Sequence, residues 1–184
     1  VKLLVGKRSA PVGAARHTGR TMQHGMAHMN FRISALELAR FAPLFGQSDA
    51  ALAAQGARRV VATHSPGFPC RVSLADAEPG ETLLLLHYEH LAADTPYRAS
   101  HAIYVREAAA QAEPAPGEVP EVLRRRLLSV RAFDAADMMV DADVVDGVAL
   151  ESVIARMFSC DNVSYLHLHN AKPGCYAARV DRHS

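Results

Sequence analysis

A chain of 184 residues, 49% of them hydrophobic, is long enough for one domain with a substantial core, too short for two ordinary ones, and too apolar to be disordered. Its net charge of +1 conceals an asymmetry: of 20 basic and 19 acidic side chains, five basic ones (Lys2, Lys7, Arg8, Arg16, Arg20) and no acids lie in residues 1–28, so the remainder carries 15 against 19, a net −4. A body of that sign has no bulk attraction for nucleic acid or anionic lipid, and no stretch is long and apolar enough to be read as a membrane span.

Residues 1–28 show no periodic apolar pattern. The opening Val, followed by Met22, Met26 and Met29, predicts a disordered basic extension upstream of a natural start at Met29. A partner-binding basic tail and a mitochondrial-type presequence are the competing readings. Residues 29–184 are then a single domain.

Phe31 to Ser34 is predicted as a short strand, and Ala35 to Phe45 as a helical or turn-like piece interrupted at Pro43, which lacks an amide donor. Ser48 to Gly56 has helix punctuation, with Ser48 at the N-cap and Gly56 just past the end. Arg58 to Thr63 predicts a strand, followed by the turn-rich His64-Ser-Pro-Gly-Phe-Pro-Cys70. Glu81 to His90 is the strongest strand, because Leu83 to Leu86 place apolar groups on both faces. His101 to Glu107 is a further strand, and the Ala/Glu/Pro-rich Ala108 to Pro120 an exposed loop. Arg124 to Phe133 begins helically and becomes a strand; Met138 to Val145 alternates, with Val140, Ala142 and Val144 on one side and Asp141 and Asp143 on the other.

After Asp146-Gly147, the spacing of Leu150, Val153, Ile154, Met157 and Phe158 is the apolar stripe of a sheet-packing helix. A β-hairpin follows, turning at Pro173-Gly174. These elements, without regular βαβ alternation, predict an α+β domain: a curved, mainly antiparallel sheet carrying two or three helices, with the C-terminal helix leading into the hairpin.

The stretches Pro66-Gly-Phe-Pro-Cys-Arg-Val-Ser-Leu, Asp76-Ala-Glu-Pro-Gly-Glu, Tyr97-Arg-Ala-Ser, Leu128-Ser-Val-Arg-Ala-Phe-Asp and His167-Leu-His-Asn-Ala-Lys-Pro-Gly-Cys-Tyr resemble a bacterial family known as domain of unknown function twelve-oh-three. The resemblance implies a cytoplasmic single-domain bacterial protein from about Met29 to Arg182 and no particular catalytic residue.

Chemistry concentrates in the hairpin. Strand alternation puts Tyr165, His167 and His169 on one face and Leu166 and Leu168 on the other. A loop from Asn170 to Gly174 would set His169 opposite Cys175, His167 opposite Ala177 and Tyr165 opposite Arg179; a loop one residue shorter would move Cys175 to the leucine face. Two histidines at i and i+2 can chelate zinc or iron, with a third ligand from Cys175, His90 or Glu89; the plain alternative is two hydrogen-bonded histidines on a buried sheet face. Cys175 beside His169, and Cys70 in a turn beside Arg71, are candidate nucleophiles, although free cysteines also serve as small core residues. Arg71, Arg98, Arg131 and Arg179 are candidate clamps for a carboxylate or phosphate, or else partners for the excess acids. The leading expectation is an enzyme acting on a small anionic molecule through His167, His169, Cys175 and Cys70, with Tyr165 and the arginines orienting the ligand. The alternative is a non-catalytic binding or assembly module with a polar sheet face. Three cysteines without a paired metal-binding motif suggest reduced thiols and a cytoplasmic location.

Overall fold

The computed structural model describes residues 31–183, so the expected extension over residues 1–28 and the start at Met29 lie outside the described residues. In chain order the elements are β1 (Phe31–Ser34), α1 (Asp49–Ala53), β2 (Ala57–Val61), β3 (Thr82–Leu91), β4 (Ala99–Arg106), α2 (Glu121–Arg124), β5 (Leu127–Phe133), β6 (Met139–Asp146), α3 (Leu150–Phe158), β7 (Tyr165–Asn170) and β8 (Tyr176–Arg182). The α+β architecture predicted from the sequence is the one adopted, including the C-terminal helix leading into a hairpin. Its antiparallel strands divide between two sheets, one of five in the order β1-β8-β7-β5-β6 and one of three in the order β2-β3-β4.

Local chemistry accounts for most of the elements. The Ser48 hydroxyl accepts from the Ala51 amide at 3.3 Å and caps α1, while Gly56 takes φ +69° just beyond it. Around Pro43 the chain makes two 3-10 turns, Leu38–Arg40 and Ala42–Leu44, in place of a continuous helix. On α3, Leu150, Ile154 and Met157 are buried, with Val153 and Phe158 packed beside them. The helix lies on the apolar face of the larger sheet, against Leu128, Val130, Leu166, Leu168, Ala178 and Val180.

The other face of the larger sheet is covered as well. Tyr176 from β8 joins Leu84 and Leu86 of β3 and Ile103 and Val105 of β4 in a second apolar cluster, which fixes the smaller sheet against the larger one. Strand β7 is consequently buried along its whole length. On β6, by contrast, Val140 and Val144 are exposed, and Asp141 and Asp143 pair with Arg156 of α3 at 2.8 and 2.9 Å. The aspartates of that edge strand thus lie toward the helix. No helix among the described residues is long and apolar enough to cross a membrane.

Gly147 shows how tightly the helical layer is set. A Cβ there would lie 2.0 Å from the Leu123 carbonyl oxygen at the end of α2. Gly147→Ala is therefore expected to lower the melting temperature by about 5 °C or more, as read by circular dichroism. An unchanged melt would mean that the two segments do not meet this closely.

Candidate functional site

Two bulges shape the site. The hairpin loop covers residues 171–174: the Asn170 amide donates to the Cys175 carbonyl at 2.9 Å, the Gly174 amide donates to the Asn170 carbonyl at 2.8 Å, and Gly174 sits at φ +75°. This is one residue shorter than the loop that would set His169 opposite Cys175. His169 instead faces Tyr176, a bulge absorbs Ala177, and Leu168, His167 and Tyr165 face Ala178, Arg179 and Asp181. The expected pairings of His167 with Ala177 and Tyr165 with Arg179 are corrected accordingly. The second bulge lies on β3 between Glu89 and Leu91, with His90 the intervening residue.

The smaller sheet brings its own histidines to those of β7. Alternation places Leu84, Leu86 and Tyr88 of β3 inward, and the register opposes Tyr88 to His101 of β4. The His90 ring lies against four partners: Tyr176 at 4.8 Å between centroids, His101 at 4.9 Å, His169 at 5.0 Å and His167 at 5.3 Å. His90 Nε2 and His101 Nδ1 approach to 2.9 Å, a hydrogen bond too short for face-to-face stacking, so these two rings meet edge to edge. Ligand nitrogens of His90, His101 and His169 all lie within 4.8 Å of one another.

The contacts of His169 fix its tautomer. His169 Nδ1 donates to the Gly174 carbonyl at 3.1 Å, which leaves Nε2 as a buried lone pair without a partner. His90 Nδ1 and His167 Nδ1 are likewise buried and unpartnered. Burial disfavours the charged form, so His90 is pulled down to about 4, His167 to about 3 and His169 to about 2, with His101 lowered for the same reason. Arg131, next to His167 across β5 and β7, adds repulsion to all four. Neutral imidazoles at physiological pH are the form that binds metal.

Of the other sequence candidates, Tyr165 and Arg179 border His167, and Arg98, Cys70 and Cys175 do not. Tyr165 stacks on Phe133, and its hydroxyl donates to Asp137 at 2.5 Å; Arg179 lies 3.7 Å above its ring and is ion-paired to Asp181. Arg98 pairs with Glu89 at 2.6 Å on the exposed side of the smaller sheet. The Cys175 sulfur accepts from Arg71 Nη2 at 3.0 Å and from Asn170 Nδ2 at 3.4 Å; among the described residues no hydrogen bond joins it to either hairpin histidine. Cys70 does not occupy an exposed turn. The segment folds back so that Cys70 bridges to Tyr104, and its sulfur accepts from the Ser73 and Arg106 amides at 3.4 and 3.3 Å inside the core. The structure thus brings together His167, His169, Arg131 and the anticipated third candidate His90, and leaves Cys70, Cys175 and Arg98 outside. Sequence reasoning missed His101. Its position in register with the apolar face of Ile103 and Val105 was the available signal.

Residues 67–182 match the family DUF1203, described as proteins of unknown function, and the chain belongs to that family. The match contains all four clustered histidines. No curated protein and no solved structure matches the chain.

The depressed histidines link stability to pH. An unfolded chain with ordinary imidazoles near 6.5 takes up protons that the fold refuses until about pH 4 or below, so this contribution is complete above 6.5 and is lost as pH falls toward 4. The melting temperature of chelator-treated protein should fall by about 5–10 °C between pH 7.5 and 5. A flat profile across that interval would show that the rings are solvated.

Proposed function

We propose that His90, His101 and His169 hold a transition-metal ion between the two sheets, with His167 beside it, and that the protein is an enzyme acting on a small anionic molecule at that centre. The observation carrying this reading is that ligand nitrogens of His90, His101 and His169 lie within 4.8 Å of one another, and that His169 Nε2 is buried without a hydrogen-bond partner. Such an orphan costs about 1–3 kcal/mol, which a metal bond at His169 Nε2 would relieve. His169 supports the reading further, because its Nδ1–H donation to the Gly174 carbonyl is the orienting contact that metal-bound histidines usually have.

The ligand chemistry narrows the ion. An all-imidazole set suits zinc, iron, copper or nickel and disfavours magnesium and calcium, which take oxygen ligands. Nitrogens about 2.1 Å from a tetrahedral ion lie roughly 3.4 Å apart, so the set, now within 4.8 Å, must tighten while the His90–His101 pair opens from 2.9 Å. Loading would exchange the His90–His101 hydrogen bond for two bonds to the ion. When bound, such an ion would polarise a substrate oxygen or lower the pKa of a coordinated water.

The chain's own residues would then bind and orient the substrate. A cavity of about 200 Å³ reaches His90 and His167 between Tyr88, Tyr176, Arg40 and Arg179. Arg131, in register with His167 on the same face of the sheet, has no acidic partner among the described residues, so a negative charge beside the cluster would be favourable. Neither Cys70 nor Cys175 takes part. The negative body gives no support for nucleic-acid binding, and three free cysteines fit a reducing cytoplasm.

Metal analysis of purified protein is expected to find close to one equivalent of zinc, iron or a similar ion per chain. His101→Ala and His169→Ala should each reduce binding of cobalt(II) to the chelator-stripped protein by about 100-fold or more. Absence of cobalt binding by the wild-type chain would favour the second reading, a metal-free binding module in which the 2.9 Å His90–His101 hydrogen bond is the working arrangement.

A further inference from the structure

We infer that the cavity at the tip of the hairpin is a second, separate binding site, for a small dianion of the phosphomonoester class carrying a hydroxyl group. The cavity has a volume of about 470 Å³ and is lined by Arg71, Arg125, Arg126, Lys172, Asn170 and Cys175, with Tyr104 and Leu127 among its apolar walls. None of the four clustered histidines lines it, so the inference stands whether or not the metal centre does.

Charge is the first argument. Arg71 is 1% exposed, and its guanidinium donates to the Tyr176 carbonyl at 2.8 Å, to the Pro69 carbonyl, and to Cys175 Sγ at 3.0 Å. These acceptors are carbonyls and a sulfur, and no carboxylate is among them. Arginine keeps its charge in proteins, and a charge taken out of water calls for a counter-charge. The lining contains four cations and no Asp or Glu. Two of the four are neutralised from outside the lining, Arg125 by Glu121 at 2.8 Å and Arg126 by Asp76 at 2.5 Å. Arg71 and Lys172 make no ion pair among the described residues. Two unpaired cations beside one cavity match a dianion, and a phosphomonoester concentrates nearly two charges and three acceptor oxygens in one group.

The second argument is an amide with one end free. Asn170 is 6% exposed; its Nδ2 donates to Cys175 Sγ at 3.4 Å, and its Oδ1 is buried without a partner. Exchanging the two ends of the amide only transfers the vacancy to nitrogen. A hydroxyl satisfies either case, because it both donates and accepts. A small phosphorylated polyol or sugar combines the two features and fits a cavity of this size.

Ribose 5-phosphate, inorganic phosphate and succinate serve as probes, by calorimetry on chelator-treated and untreated protein at fixed ionic strength. Ribose 5-phosphate should bind saturably, about tenfold tighter than inorganic phosphate and than succinate, and equally with or without chelator. Lys172→Glu, on an exposed loop residue, should weaken it by about tenfold or more while leaving cobalt binding unchanged. Bound sugar phosphate should also slow alkylation of Cys175, which lines the cavity, and leave the exposed Cys160 unaffected. Failure to saturate, undiminished binding by Lys172→Glu, or an unprotected Cys175 would overturn the proposal. Ribose 5-phosphate no tighter than phosphate would remove the hydroxyl, and succinate equal to both would remove the phosphoryl group.

Discussion

Burial of both faces of β7 is the constraint on which the rest of the structure depends. A strand in the middle of a five-stranded sheet has both of its edges paired, by β5 and β8. Helix α3 then seals the leucine face and the smaller sheet seals the other. His169 Nε2 and His167 Nδ1 are therefore shut off from bulk water, and any partner for those two atoms must be supplied by the protein or by a ligand. A solvated sheet face would have carried the same sequence without consequence.

The interior contains more cationic than anionic character. Arg71 and Arg131 have their pKa values drawn down by burial, and neither has a carboxylate among its described contacts. The acids of the body are spent elsewhere, in pairs such as Arg59 with Glu107 at 3.0 Å, Arg106 with Glu81 at 2.5 Å and Arg126 with Asp76. Arg71 is thus left beside the cavity at the hairpin tip, and Arg131 opposite His167, without a carboxylate partner among the described residues.

Irregular backbone does the aiming. His90 keeps the inward face that alternation gives Leu84, Leu86 and Tyr88, and the bulge after Glu89 leaves it without an opposite residue on β4, with its ring between Tyr176 and His101. The four-residue loop sets Tyr176 against His169, and the bulge at Ala177 then brings His167 opposite Arg179. The four-residue turn and its glycine at positive φ are what shift Cys175 away from the histidines and into the neighbourhood of Arg71.

By itself the sequence determined the strands, the capped helix α1, the apolar stripe of α3, the hairpin and the shared face of Tyr165, His167 and His169, because these follow from periodicities of two and 3.6 and from local turn chemistry. It also marked His90 as a candidate ligand, since polar groups at the end of an apolar strand stand out. Tertiary structure alone decided that two sheets form, that His101 joins the cluster, and that Cys70 sinks into the core while Arg98 stays on the surface. The physical reason is that such contacts depend on register and bulges between strands far apart in the chain. A shift of one residue exchanges the faces, and no local pattern records it.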